Sequence, residues 1–357
     1  MAEQLHTMPG MEGNMSSDGI KADAGCKSRA WIWFLAVSIG LPMLACAAVV
    51  VAAVLWFAAN HVPSHRAAMG VDEFPALRET WSYGHGVTKV VRIPVKGVLV
   101  ERDEGGLFAS RGPVETALRQ IRAATEDGDV KAIILEVDSP GGGVTASDLM
   151  YKALLDFKAS TPDRKIVALL GDIAASGGYY VTTAADYIIA QPTTITGSIG
   201  VIISKYNIKK LGDDYGVKLE TIKSGRNKDI LSPFADLSDE QKTVLQDVVD
   251  EMYQRFVGLV ARARPGVSKD DLQRLTDGRV FTSTKALECK LIDEIGYWND
   301  AVAKTEGLLD VKEVKVVRYS EEFSLSDFLS GLQDVSLSAN GLFNRMARVR
   351  LLTLWQL

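Results

Sequence analysis

The sequence predicts an α/β fold with a largely buried sheet. Three observations carry this expectation. Strand-like and helix-like segments alternate from Val87 onward. Two of the strand-like segments, Val130–Val137 (VKAIILEV) and Lys165–Leu170 (KIVALL), are almost continuously apolar, as strands covered on both faces are. Each of the two runs into a glycine-bearing loop that opens a helical period.

The elements follow in chain order. Val87–Val100 contains VVRIPVKGVLV, rich in β-branched residues, and reads as the first strand. Pro113 is well placed to open a helix, because its missing N–H is unneeded there. Ala117, Leu118, Ile121 and Ala124 then recur at helical spacing. A second helix is expected over Ala146–Phe157, and a third over Gly178–Ala185. Tyr187–Ala190 and Ser198–Ile203 read as short strands. Ser238 and Gln241 have the spacing of a capping box. Beyond them Val244, Val248, Met252, Phe256 and Val260 form an apolar stripe, read as core packing. Further helices are expected from Ser268 and over Ala301–Leu308. After Tyr319 the chain reads as a Ser- and Leu-rich tail ending in VRLLTLWQL.

The first sixty residues differ in kind. Ala30–Ala59 contains no charged residue, long enough for the roughly 20 apolar residues of a membrane-spanning helix. Residues 1–28 read as a disordered tail, 29–59 as the span and 60–86 as a linker without a period. The folded domain is expected over 87–318, followed by the tail 319–357. Lys21, Lys27 and Arg29 precede the span, while Arg66 and Arg78 follow it, which favours a cytoplasmic N-terminus and an external domain.

Composition narrows the chemistry. The net charge of -5 gives no sign of a nucleic-acid partner. The three cysteines, Cys26, Cys46 and Cys289, place only one in the soluble part, so no disulfide framework is expected there. No cysteine or histidine spacing suggests a metal site, and no cofactor motif is present. All four histidines (His6, His61, His65 and His85) precede the expected folded domain. A hydrolase built on this chain needs another base.

Two loops have the composition for chemistry. Asp138-Ser139-Pro140-Gly141-Gly142-Gly143 follows a strong strand, and its backbone N–H groups are suited to a developing oxyanion, although a plain strand-to-helix turn also accounts for it. Ala174-Ala175-Ser176-Gly177-Gly178-Tyr179-Tyr180 sets an accessible serine at a helix start, where a simple N-cap is the bland alternative. Serine needs a base, and a lysine can serve if its amine is neutral. Lys205, Lys209, Lys210, Lys223 and Lys228 all follow Ser176, and spacing does not choose among them.

Taken together, IPVKGVLV, DSPGGGV, GDIAASGGYYVTTAAD, TGSIGV, IKSGRNKDILSP and DGRVFTSTKALECKLIDEIG occur in the order seen in the signal peptide peptidase A (protease IV) family of bacterial membranes. The chain resembles that family from about Val90 to Tyr297, with Asp138 where the family usually has Asn. The resemblance implies a Clp protease/crotonase-like fold of stacked ββα units. It implies Ser176 as nucleophile, Lys228 as general base and Ser198 as the residue that orients the lysine. Oxyanion donors would be the N–H of Gly177 and that of Gly142 or Gly143. It further implies peptide substrates, namely signal peptides left in the membrane, and a location in the bacterial inner membrane. No metal or organic cofactor is implied. A ring-like homo-oligomer, an octamer, is expected, in which Ser176 and Lys228 of one site could belong to different protomers. Two rival readings are an acyl-CoA enzyme of the crotonase type and a non-catalytic membrane scaffold.

Overall fold

The computed structural model describes residues 77–100 and 112–321, the backbone of 352–354, and the single residue Val49. The expected N-terminal tail lies outside the described residues, as does the expected membrane span apart from Val49. Among the described residues no helix is long and apolar enough to cross a membrane. The chain divides into two units, Met1–Ala68 and Met69–Leu357, and every strand and helix named below belongs to the second.

In chain order the elements are β1 (Leu77–Tyr83), β2 (Thr88–Lys96), α1 (Pro113–Glu126), β3 (Val130–Ser139), β4 (Gly141–Gly143) and α2 (Val144–Ser160). There follow β5 (Lys165–Ala175), α3 (Gly177–Thr182), β6 (Tyr187–Ala190), β7 (Ile195–Gly197) and α4 (Lys209–Asp214). The last group is α5 (Asp239–Ala263), α6 (Lys269–Leu275), β8 (Val280–Thr282), α7 (Ser283–Glu288), β9 (Glu294–Ile295), α8 (Trp298–Leu309), β10 (Val314–Glu321) and β11 (Leu352–Leu354).

The main sheet runs β1-β10-β2-β3-β5-β6-β9. Every neighbouring pair from β10 to β9 is parallel, and β1 closes one edge antiparallel to β10. Parallel strands need covering on both faces, and alternation along β3 shows how this is met. Ile133, Leu135 and Val137 join the cluster with α1, α2 and the C-terminal part of α5. Ala132 and Ile134 join the other cluster, with Ala301 and Val302 of α8. β5 is unusually long because it serves twice. Its first half pairs with β3 and β6, and Ile173–Ala175 pair with β7, which in turn pairs with β8.

Several expectations hold closely. Pro113 opens α1, Tyr187–Ala190 is a strand, and Ser268 caps α6. Ser238 and Gln241 form the reciprocal capping box at the start of α5.

Four need correction. The linker expected over 60–86 contains β1, whose partner lies more than 230 residues away and whose LRETWSY shows no apolar alternation because it is an exposed edge. The strand expected over Ser198–Ile203 falls instead on Ile195–Gly197. Gly197 and Ser198 take φ values of 88° and 50°, which end the strand. The stripe on α5 is only half core: Phe256 and Val260 are buried, but Val244 is 41% exposed. The domain does not stop at residue 318, since β10 runs to Glu321.

Candidate active site

The two singled-out loops meet at the carboxyl end of the parallel sheet, where α/β sheets hold their ligands. β5 ends at Ala175 and α3 begins at Gly177, leaving Ser176 alone at a sharp turn with φ 54° and ψ −118°. That region is disfavoured for a residue with a Cβ, and it costs about 1–3 kcal/mol. A serine on a strained strand-to-helix turn has the geometry of a nucleophile elbow.

The neighbouring strand makes the same departure. Ala175 pairs with Gly197, so Ser176 and Ser198 are each one residue past paired positions. Both have positive φ, and both line one cleft of about 410 Å³. The Ser176 N–H donates to the Gly197 carbonyl at 2.8 Å, and the Ser198 N–H donates to the Arg279 carbonyl at 2.7 Å. These bonds commit the backbone and leave the two hydroxyls as the groups each serine offers to the cleft. Val201, Ile202, Val249 and Tyr253 supply apolar wall, with Asp250 and Asp277 also lining it. A second cleft of similar size, near Lys89, Lys131 and Lys315, lies at the opposite end of the strands.

The helix behind Ser176 is anchored firmly. Tyr179 is fully buried and its hydroxyl donates to the Leu291 carbonyl at 2.7 Å; burial pushes that hydroxyl's pKa up. The Tyr180 hydroxyl donates to Asp148 on α2 at 2.6 Å, and Arg255 of α5 donates to the same carboxylate oxygen. Gly178 faces the other loop: a Cβ there would lie 2.6 Å from the Ser139 carbonyl oxygen. The small residue is what lets the two loops touch. Gly178→Ala is therefore expected to cost about 1–3 kcal/mol by overpacking. Thermal unfolding should register it as a fall in Tm of about 2–12 °C. An unchanged Tm would mean the loops are not in contact.

The glycines of β4 separate into distinct roles. The Gly143 N–H donates to the Leu99 carbonyl at 2.8 Å, and the Gly141 carbonyl accepts from the Leu99 N–H at 2.8 Å. Gly143 is thus engaged on the β2 side. Backbone groups alternate along a strand, so the Gly142 N–H and carbonyl face the other edge. On that edge the tail strand β11 pairs antiparallel, with Thr353 opposite Gly142. Sequence reasoning treated the tail as a separate segment and missed this pairing. Three residues with no flanking period carry no signal of a strand partner.

Lys228 does not line the Ser176 cleft in this chain. It is exposed, in the turn where its N–H meets the Gly225 carbonyl. The structure nonetheless sorts the five lysines. Lys205 donates to the Ala235 carbonyl, Lys209 pairs with Asp236, Lys210 with Asp214 and Lys223 with Asp229. The hydrogen bond that the Lys209 ammonium donates to the Asp236 carboxylate holds it above its ordinary pKa. Among the described residues, only the Lys228 amine of the five has no such partner.

Comparison with known proteins bears directly on this arrangement. Residues 158–312, which include Ser176, Ser198 and Lys228, match peptidase family S49. An Enterococcus faecium protein provisionally named signal peptide peptidase SppA is 36% identical over 245 residues, 68% of this chain and 70% of that protein. The chain belongs to peptidase family S49. Protease 4 of Salmonella typhi is 35% identical over 215 residues, 60% of this chain and 34% of that protein. The chloroplastic serine protease SPPA of Arabidopsis thaliana is 32% identical over 249 residues, 66% of this chain and 36% of that protein. This S49 peptidase therefore spans about a third of the length of those two longer relatives. It is a serine protease of mixed α/β architecture.

Proposed function

We propose that this peptidase cleaves peptide bonds with Ser176 as nucleophile and Lys228 as general base. The observation that carries the reading is the strained elbow that holds Ser176 in one cleft with Ser198. A helix cap needs no such strain, since ordinary N-caps adopt extended dihedrals.

The neutral Lys228 amine takes the Ser176 hydroxyl proton as Oγ attacks the substrate carbonyl. Ser198 orients the amine. The Gly177 N–H, next to the nucleophile, and the Gly142 N–H receive the oxyanion. The ammonium then protonates the leaving amine, and water releases the acyl group.

A lysine base must be shielded from water to lose its proton near neutral pH. Lys228 is exposed here, on a stretch where Tyr206, Leu211, Tyr215, Leu219 and Ile222 are exposed as well. Exposed apolar residues of that extent favour a second copy of the chain as their cover. In our reading the stretch docks on a neighbouring protomer of a ring-like oligomer, an octamer, and delivers Lys228 to the neighbour's Ser176. The fold is then of the Clp protease/crotonase type, with an oligomer completing each site.

The substrate class we infer is signal peptides left in the bacterial inner membrane. The name of the Enterococcus faecium relative supports it. So does the uncharged run Ala30–Ala59, read as a single span with the N-terminus cytoplasmic. The domains we propose are the tail 1–28, the span 29–59, a linker up to β1, the peptidase domain to Glu321 and a C-terminal tail.

Labelling with a fluorophosphonate followed by peptide mass spectrometry tests the nucleophile. Ser176 is expected to carry the label, and modification of another serine with Ser176 untouched would refute the assignment. Mixing inactive Ser176→Ala and Lys228→Ala chains tests the shared site. Co-assembled rings should recover about a quarter of wild-type activity, because half the sites find each intact partner. No recovery in rings shown to be mixed would place both residues in one protomer.

A further inference from the structure

We propose that Asp250 makes the cleft selective for peptides that carry a lysine or arginine side chain beside an apolar segment. The proposal deepens the reading of Ser176 as a peptide-cleaving nucleophile and rests on it.

The cleft that holds Ser176 and Ser198 has two carboxylates in its lining, Asp250 and Asp277. They are not equivalent. The Arg279 guanidinium donates to both oxygens of Asp277, and the Arg279 backbone N–H donates to one of them. That charge is neutralised within the chain. Asp250 accepts only from the side-chain amide of Gln246, one turn earlier on α5, at 2.7 Å. A neutral donor leaves the negative charge in place, and among the described residues no ion pair reaches Asp250.

The surroundings add to this charge. Asp247 lies three residues earlier, and residues at that spacing share a helix face. The flanking cations of α5 are spent elsewhere, Lys242 on Asp239 and Arg255 on Asp148. Like charges three residues apart destabilise a helix, so the pair does not serve to hold α5 together.

The rest of the wall decides what sits beside the charge. Val249, Asp250 and Tyr253 line the cleft from one face of α5, and Val201 and Ile202 line it too. The Tyr253 and Thr276 hydroxyls are hydrogen bonded at 2.8 Å, which ties that face to the loop bearing Asp277. Ser176 and Thr276 are buried while Asp250 is exposed, so the charge stands toward the mouth of the cleft. The complement of this wall is an apolar segment flanked by a basic side chain. A lysine or arginine stem packs on apolar wall while its head group reaches the carboxylate. A signal peptide has that order, a positively charged stretch running into an apolar one.

The test moves a single arginine along an apolar peptide and pairs each member with its citrulline counterpart, which has nearly the same shape and no charge. Hydrolysis by the full chain is expected to favour arginine about fivefold in kcat/KM at one position, the size of an exposed ion pair. The preference should shrink in ~1 M salt, where screening acts within about 3 Å. Asp250→Asn should bring the ratio to about one. Asp250→Lys should bring it below one, a reversal that a purely structural role would not produce. A wild-type ratio near one at every position, or a ratio that both substitutions leave unchanged, overturns the proposal and leaves the peptidase reading intact. If the wild type hydrolyses none of the peptides, that reading fails instead, and fluorescence anisotropy with the labelled peptides decides the role of Asp250. Tighter binding of the arginine peptide that Asp250→Asn abolishes upholds it. Equal binding, or a preference that survives the substitution, overturns it.

Discussion

Ser176→Ala is expected to lower kcat for peptide hydrolysis by about 10⁴-fold or more, because nucleophile and base act as a unit and removing either loses most of the acceleration. The fold should survive. Ser176 is buried, but its hydroxyl faces the cleft, and its structural bonds are made by the backbone: its N–H to Gly197 and its carbonyl from the Tyr180 N–H. Alanine keeps both. It also keeps the strain, since its Cβ meets the same penalty at φ 54°. Glycine does not. Ser176→Gly should be equally inactive yet about 1 kcal/mol more stable than Ser176→Ala, which amounts to a Tm about 2–4 °C higher. Calorimetry on the two inactive variants separates an elbow held for function from an ordinary helix cap. Equal melting temperatures would remove the strain argument, and residual hydrolysis by either variant would remove the nucleophile.

Lys228→Ala should bring a loss of similar size, about 10³-fold or more in kcat, with oligomer size unchanged. Lys228→Arg is the sharper variant. It keeps the positive charge and most of the stem, but a guanidinium does not give up its proton in a protein. An arginine that restored hydrolysis would show that position 228 supplies charge rather than a base. The ion pairs of Lys209, Lys210 and Lys223 predict that alanine at those positions leaves kcat within a few-fold of wild type.

Much of the fold is legible in the order of residues. The continuous apolar runs of β3 and β5 announced strands covered on both faces. Pro113, Ser238 and Ser268 marked helix starts through local chemistry that acts within a few residues. What stayed hidden depends on distant partners. β1 is a strand only because β10 lies beside it, and nothing within LRETWSY records that. The stripe on α5 looked uniform because a helical period reports which residues share a face. It does not report how far the helix extends past the body it packs on.

The site divides along the same line. Residue order alone sets Ser176 at a strand-to-helix junction among small residues, leaves no histidine after His85 and follows β3 with a glycine loop. These are properties of neighbours in the chain. Ser198 shares the cleft only through the fold, by the pairing of Ala175 with Gly197. The fold alone shows that Gly143 is spent on Leu99 while Gly142 faces the tail strand, and that Lys228 is exposed and does not line the Ser176 cleft. Backbone donors and close approaches are set by which strands lie side by side. That arrangement is made by contacts far apart in the chain, which residue order does not display.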